Sequence, residues 1–91
     1  MNSEFRQQLK ARAHSLNPVV FIGDKGLTEA VMNEIDQALM AHELIKVKIR
    51  GQEKQDRAAF AEQICSAISA ELVQHIGNIL VLYRQNEKEG S

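Results

Sequence analysis

Two groups of residues in this chain have types and spacings suited to chemistry, and both suit anions. In FIGDKGLTEAV, residues 21–31, an apolar run ends, Gly23-Asp24-Lys25-Gly26 follows, and a helical pattern begins at Thr28. Glycine carries a high entropy cost, so it stands where the backbone needs positive φ or where something must approach closely. A loop feeding a helix N-terminus also presents unpaired N–H groups and the positive end of the helix dipole, which suit a phosphate. The same four residues would equally make a tight strand-to-helix turn with no ligand. The second group is Lys46, Lys48 and Arg50 in LIKVKIR, residues 44–50. On a strand these cations share one face at intervals of roughly 6–7 Å. Unpaired, they repel one another. They therefore mark either a solvated polar sheet face or a surface for a row of phosphates, and Lys25 in the nearby loop favours the second.

Catalysis has no comparable set. His14, His42 and His75 lack the i, i+4 spacing of a helical metal pair. Cys65 falls on the apolar stripe of its helix and reads as core; as the only cysteine it excludes an internal disulfide. Asp24 has no second carboxylate close by to form an acid–base pair. GDKG fits neither the P-loop pattern nor the dinucleotide fingerprint. The sequence reads as a binding protein, not an enzyme, without metal, cofactor or small-molecule substrate. Tyr83 reads as an inward strand residue, with base stacking as its alternative.

The elements that must position these residues follow from periodicity. Phe5, Leu9, Ala13 and Leu16 recur at helical spacing after Ser3, the expected N-cap, and Asn17-Pro18 ends that helix. VVFI, 19–22, is an unbroken apolar run and reads as a buried strand. Thr28 is the expected cap of a helix over 28–42 whose stripe is Val31, Ile35 and Leu39, closed by His42 and Glu43. Residues 44–50 alternate strictly and predict a half-buried strand with one open face. Asp56 is the expected cap of a helix over 57–72 with the stripe Phe60, Ile64, Cys65 and Ile68. VQHI (73–76) and ILVLYR (79–84) predict a hairpin turned by Gly77-Asn78. The order α-β-α-β-α-β-β predicts an α+β protein, a four-stranded mixed sheet packed with three helices. One domain spans 1–86, and 87–91 forms a polar, flexible tail.

Composition narrows the class. The 91 residues are 44% hydrophobic and 25% charged, so a folded domain is expected rather than a disordered chain. No run approaches the ~20 apolar residues of a membrane span, and the first sixteen residues lack the apolar core of a signal peptide. A cytoplasmic protein is expected. The net charge of −1 gives no global pull toward nucleic acid, but the charge is segregated. Glu29, Glu34, Asp36 and Glu43 stand in 29–43 without a Lys or Arg. Residues 44–57 hold five cations against two anions, and the first helix holds Arg6, Lys10 and Arg12 against Glu4.

These residues also carry a resemblance. LKARAHSLNPVVFIGDKGLTEAVMNEIDQALMAHELIKVKI (9–49), followed by LVQHIGNILVLYR (72–84), resembles the CRM domain, whose bacterial single-domain form is the YhbY family. The resemblance implies a fold like the C-terminal domain of bacterial initiation factor three. It implies RNA binding through a GxxG loop like that of KH domains, and association with precursors of the large ribosomal subunit. Related domains in plants assist group II intron splicing. Carried over by position, the loop is Gly23, Asp24, Lys25 and Gly26, with Thr28 behind it. The basic surface beside it comprises Lys46, Lys48, Arg50, Arg6, Lys10, Arg12 and Arg84. Asp24 departs from the expected pattern by placing a negative charge where a phosphate would sit.

The reading is a monomeric RNA-binding module that meets ribosomal RNA during large-subunit assembly. Its rival is a protein-interaction module that docks a basic ribosomal protein through the acidic helix 29–43. A nuclease is a distant third.

Overall fold

In the computed structural model, which describes residues 1–86, the first helix is capped one residue earlier than expected. Asn2, not Ser3, is the N-cap of α1 (Ser3–Ala13), its Oδ1 accepting the Phe5 N–H at 2.7 Å. Both types cap well, but Asn2 holds the extended backbone that the position requires. The stripe of α1 buries Leu9 and Ala13 and half-buries Phe5; Leu16 lies past the helix, at the surface. The tail expected over 87–91 lies outside the described residues.

β1 (Pro18–Ile22) runs parallel to β2 (Leu44–Ile49), connected through α2 (Glu29–His42). α3 (Lys54–Ile68) leads into β3 (Glu71–Ile76) and β4 (Ile79–Tyr83), a hairpin turned by Gly77 and Asn78. β4 lies antiparallel beside β2, giving the order β1-β2-β4-β3. This is the expected element order and mixed sheet.

The two faces of the sheet are covered by different helices. On one, Ile22, Ile45, Val47 and Leu80 meet Ile35 and Leu39 of α2 and Ile64 of α3. On the other, Leu44, Val73 and Val81 meet Leu9 and Ala13 of α1. Tyr83 belongs to this second cluster, its ring edge-on to Phe5 with centroids 5.4 Å apart. Tyr83 is a packing residue.

Three further expectations are corrected. α3 starts at Lys54 behind Glu53, so Asp56 is not its cap but stands in its first turn, where the dipole favours a carboxylate. The same helix ends at Ile68, with Ser69 in the left-handed region at φ 56°. Residues 71–72, expected to be helical, instead begin β3, because pairing of Glu71 and Leu72 with Tyr83 and Leu82 overrides local helix preference. Finally, β1 is not buried on both sides. It is an edge strand, which accommodates Pro18, and only Val20 and Ile22 face the core. Val19 and Phe21 are 46% and 47% exposed, because the cluster under α1 is built from β2, β3 and β4 and takes in no residue of the β1 edge.

Candidate functional site

Because β1 and β2 are parallel, the loops that follow them leave the sheet at the same end. The Arg50 N–H donates to the Ile22 carbonyl at 2.8 Å, and the Ile49 N–H donates to the Asn78 carbonyl at 2.8 Å. The Gly23–Gly26 loop, the segment 51–53 and the β3–β4 turn are therefore gathered at one end. Gly26 closes a turn, its N–H donating to the Gly23 carbonyl at 2.9 Å, and holds φ 74°. A Cβ at position 26 would stand 3.3 Å from the Phe60 ring. Gly26 is required by the fold. Gly23 is not: its φ lies outside the left-handed region, and a Cβ there would meet nothing within 4 Å. Its bare backbone faces open space.

Thr28 caps α2 as expected, its Oγ1 accepting the Val31 N–H at 3.2 Å. The first turn of α2, with its unpaired N–H groups, thus starts directly behind the loop. Lys25 is exposed and forms no ion pair among the described residues. Asp24 does not simply project into the loop's approach. Its carboxylate is turned against Gly51, where a Cβ would overlap it, and Gly51 itself holds φ 73°. Gln52 Nε2 donates to the carbonyls of Gly23 and Asp24 at 3.0 and 3.2 Å, and Arg57 Nη1 donates to the Gln52 carbonyl at 2.9 Å. The glycine loop is tied to its neighbour before any ligand arrives.

The predicted cations separate into distinct sets. Lys46 and Lys48 are half-buried on the α1 side of β2, and exposed Arg50 follows them. Lys48 pairs across the sheet with Phe21, and the Arg50 guanidinium carbon lies 5.1 Å from the Phe21 ring centroid. Lys10 of α1 joins Lys46 in lining a groove between α1 and the sheet, with His14 and Gln74 beside them. Arg12 is exposed over a separate hollow lined by Leu16, Val19 and His42. Arg6 and Arg84 have internal partners instead. Arg6 Nη1 donates to the Leu72 and Val73 carbonyls at 2.8 and 3.0 Å. Arg84 donates to Asp36 Oδ1 at 2.6 Å and to the carbonyls of Ile68 and Asp36 at 3.1 and 3.2 Å.

Cys65 packs half-buried against the core, as expected, and burial pushes its thiol pKa up, with the Glu71 charge adding to the effect. A raised pKa leaves less of the thiolate, the nucleophilic form, at neutral pH. No group of three His, Cys, Asp or Glu among the described residues could hold a metal ion. No described helix is long and apolar enough to cross a membrane. Sequence reasoning missed Gly51 and Gln52. Gly51 had a weak signal, a glycine at a strand end; the role of Gln52 is made entirely by a contact across 29 residues.

The family model of the CRS1 / YhbY (CRM) domain matches residues 1–84. The chain belongs to the CRM domain family. A Haemophilus influenzae protein named as an RNA-binding protein is 47% identical over 88 residues, 97% of this chain and 89% of the relative. A Pseudomonas aeruginosa protein named as a probable RNA-binding protein is 41% identical over 88 residues, 97% of this chain and 85% of the relative. Both names describe binding, and neither describes a catalysed reaction. The CRM fold of this chain also superimposes on the solution structure of a Staphylococcus aureus protein, with a TM-score of 0.84 at 32% identity. That match covers 98% of this chain and 93% of the other.

Proposed function

We propose that this chain binds RNA through the Gly23–Gly26 loop and the basic end of β2. Its RNA is ribosomal RNA in precursors of the large ribosomal subunit, met by a monomer in the cytoplasm. The observation that carries the reading is the open backbone at Gly23, a glycine that neither φ nor packing demands. It lies beside exposed Lys25 and the start of α2, with Lys48 and Arg50 on the adjoining strand end. Amides and point charges of this kind hold a phosphate backbone without reading its bases, so binding is tolerant of sequence. The names of the relatives support RNA as the ligand, and the resemblance to the YhbY family supports the ribosomal setting.

The rival reading, protein docking through the acidic helix, loses two of its four carboxylates to internal partners. Asp36 is held by Arg84, and Glu43 Oε2 accepts the Asn86 N–H at 2.8 Å.

Titration of an RNA fragment across a range of salt concentrations tests the loop and strand together. Gln at Lys46, Lys48 and Arg50 should weaken binding and flatten the slope of log K against log salt by about 0.7 per lost single-strand contact. Gly23→Val, which the fold accommodates, should weaken binding more than Lys25→Ala. Asp24→Asn should tighten it modestly by removing a like charge beside the loop, screened because it is exposed. An unchanged salt slope and full affinity in Gly23→Val would sink the interface. Crosslinking in cells should recover large-subunit ribosomal RNA; crosslinks spread over messenger RNAs would overturn the ribosomal assignment.

A further inference from the structure

The open half of the α1-side sheet face carries a feature that phosphate binding alone does not use. Residues paired across a sheet share a face. Phe21 pairs with Lys48, Lys48 with Ile79, and Ile79 with Ile76, so one row crosses all four strands. Phe21 is 47% exposed at one end of that row and Ile76 is 56% exposed at the other. The strand spacing sets these ends roughly 14 Å apart. α1 packs against Leu44, Val73 and Val81, with Ile79 partly buried beside them, and Phe21 at the β1 end of the row lies outside that cluster.

An aromatic ring left half in water on an edge strand loses hydrophobic stabilisation that a neighbour could supply. No element among the described residues supplies it. What surrounds the ring is cationic: Lys48 is its cross-strand partner, and the Arg50 guanidinium carbon is 5.1 Å from its centroid. An apolar ring with a guanidinium stacked over it complements a nucleobase attached to a phosphate chain. An apolar protein partner would instead have to bury those cations unpaired. The ring also stands two residues before Gly23, about 7 Å along the strand, within the span of one nucleotide of the loop.

We propose that the Phe21–Arg50 pair is a stacking platform for an unpaired base, so that this surface selects single-stranded over duplex RNA. The inference rests on the RNA-binding reading above. In a duplex the base faces are already stacked on one another and offer the ring nothing, whereas an unpaired base can turn out and lie on it. The glycine loop then holds the backbone, and the platform decides which kind of strand is held.

The chain contains no tryptophan, so Phe21→Trp gives a single indole reporter at the platform. A labelled single-stranded RNA and the same strand annealed to its complement are titrated against the parent, Phe21→Ala and Phe21→Trp, each checked for a native melt. Phe21→Ala should weaken single-strand binding about tenfold and change duplex binding less than twofold. Phe21→Trp should keep single-strand affinity, with indole emission quenched by the single strand and not by the duplex. Equal affinities of Phe21→Ala and parent for the single strand, equal losses for both RNAs, or an unquenched indole in a saturated complex would overturn the platform. In each case Lys25-dependent binding by the parent leaves the loop reading standing. A parent that binds neither RNA overturns both.

Discussion

The two ends of the sheet treat their arginines in opposite ways. Where β4 finishes, the Arg84 side chain is 16% exposed, and its guanidinium joins α2 to the end of α3 through Asp36 and Ile68. The following residues continue this fastening: the Arg84 N–H donates to the Glu43 carbonyl, and Asn86 Nδ2 donates to the Leu39 and Met40 carbonyls at the C-terminus of α2. Where β1 and β2 finish, Arg50 is exposed and its partner is an aromatic ring. The two residues look alike in the sequence, each an arginine just past the last residues of a strand pattern. Their difference teaches that a cation is available to a ligand only when the fold has not already given its N–H groups carbonyl and carboxylate acceptors.

The comparison breaks most readily in the packing. Leu44→Ala, beneath α1 at the fastened half of the sheet, should lower stability by about 2–5 kcal/mol in urea melts. Phe21→Ala at the open half should cost only about 1 kcal/mol, because half of its ring is already in water. Similar losses from both would show that the open half is as tightly packed as the other.

Arg84→Ala should cost about 1–3 kcal/mol, the range for hydrogen bonds to a charged group, lowered here by the water that reaches Asp36. It should leave the salt slope of RNA binding unchanged, unlike the Lys46, Lys48 and Arg50 substitutions. A flattened slope with full stability would place Arg84 among the ligand contacts and erase the distinction.

A smaller effect is expected at the tether of the glycine loop. Gly51→Ala forces an L-residue to φ 73° and displaces the Asp24 carboxylate, at a cost of about 1–2 kcal/mol. Hydrogen exchange at the Gly26 amide should speed up more than exchange at amides of β4. Unchanged exchange at Gly26 would mean that Gly51 does not steady the loop.

The smallest effect is in pH. The folded Cys65 thiol has a raised pKa, so the folded state holds its proton more tightly than the unfolded chain. The contribution is fully present below the free-thiol value, near pH 8.5, and is lost as pH rises through the folded value. Melts of the parent should therefore weaken more between pH 7 and pH 10 than those of Cys65→Ala.

Much of this fold was legible because its signals are local. The alternation of Ile45, Val47 and Ile49 with Lys46 and Lys48 set the orientation of β2, and Thr28 marked the start of α2. Where two elements competed for the same residues, local signals failed. Ala70 to Leu72 suit a helix, yet strand pairing with β4 takes Leu72. β1 hid its exposure because every residue from Val19 to Ile22 is apolar, so its inward and outward positions look alike. The glycine loop was legible at the site, but its two glycines were not distinguishable. The positive φ of Gly26 and the Phe60 ring against it tell that Gly26 serves the fold, whereas Gly23 leaves a path open. The internal roles of Arg6 and Arg84 depend on acceptors 66 and 48 residues away, which no spacing rule contains.

β3 is an outer strand, and its pairing with β4 is interrupted between Leu72 and Gln74. An outer strand presents N–H and C=O groups on which another chain can build, and natural sheets blunt such edges with bulges and charge. Here the Arg6 guanidinium occupies the Leu72 and Val73 carbonyls at the interruption. A helix from the beginning of the chain therefore acts as a guard over an edge made near its end. A chain in which α1 is clipped or slow to dock presents that edge to its own copies, and its loss is felt as self-association at high concentration as well as lowered stability.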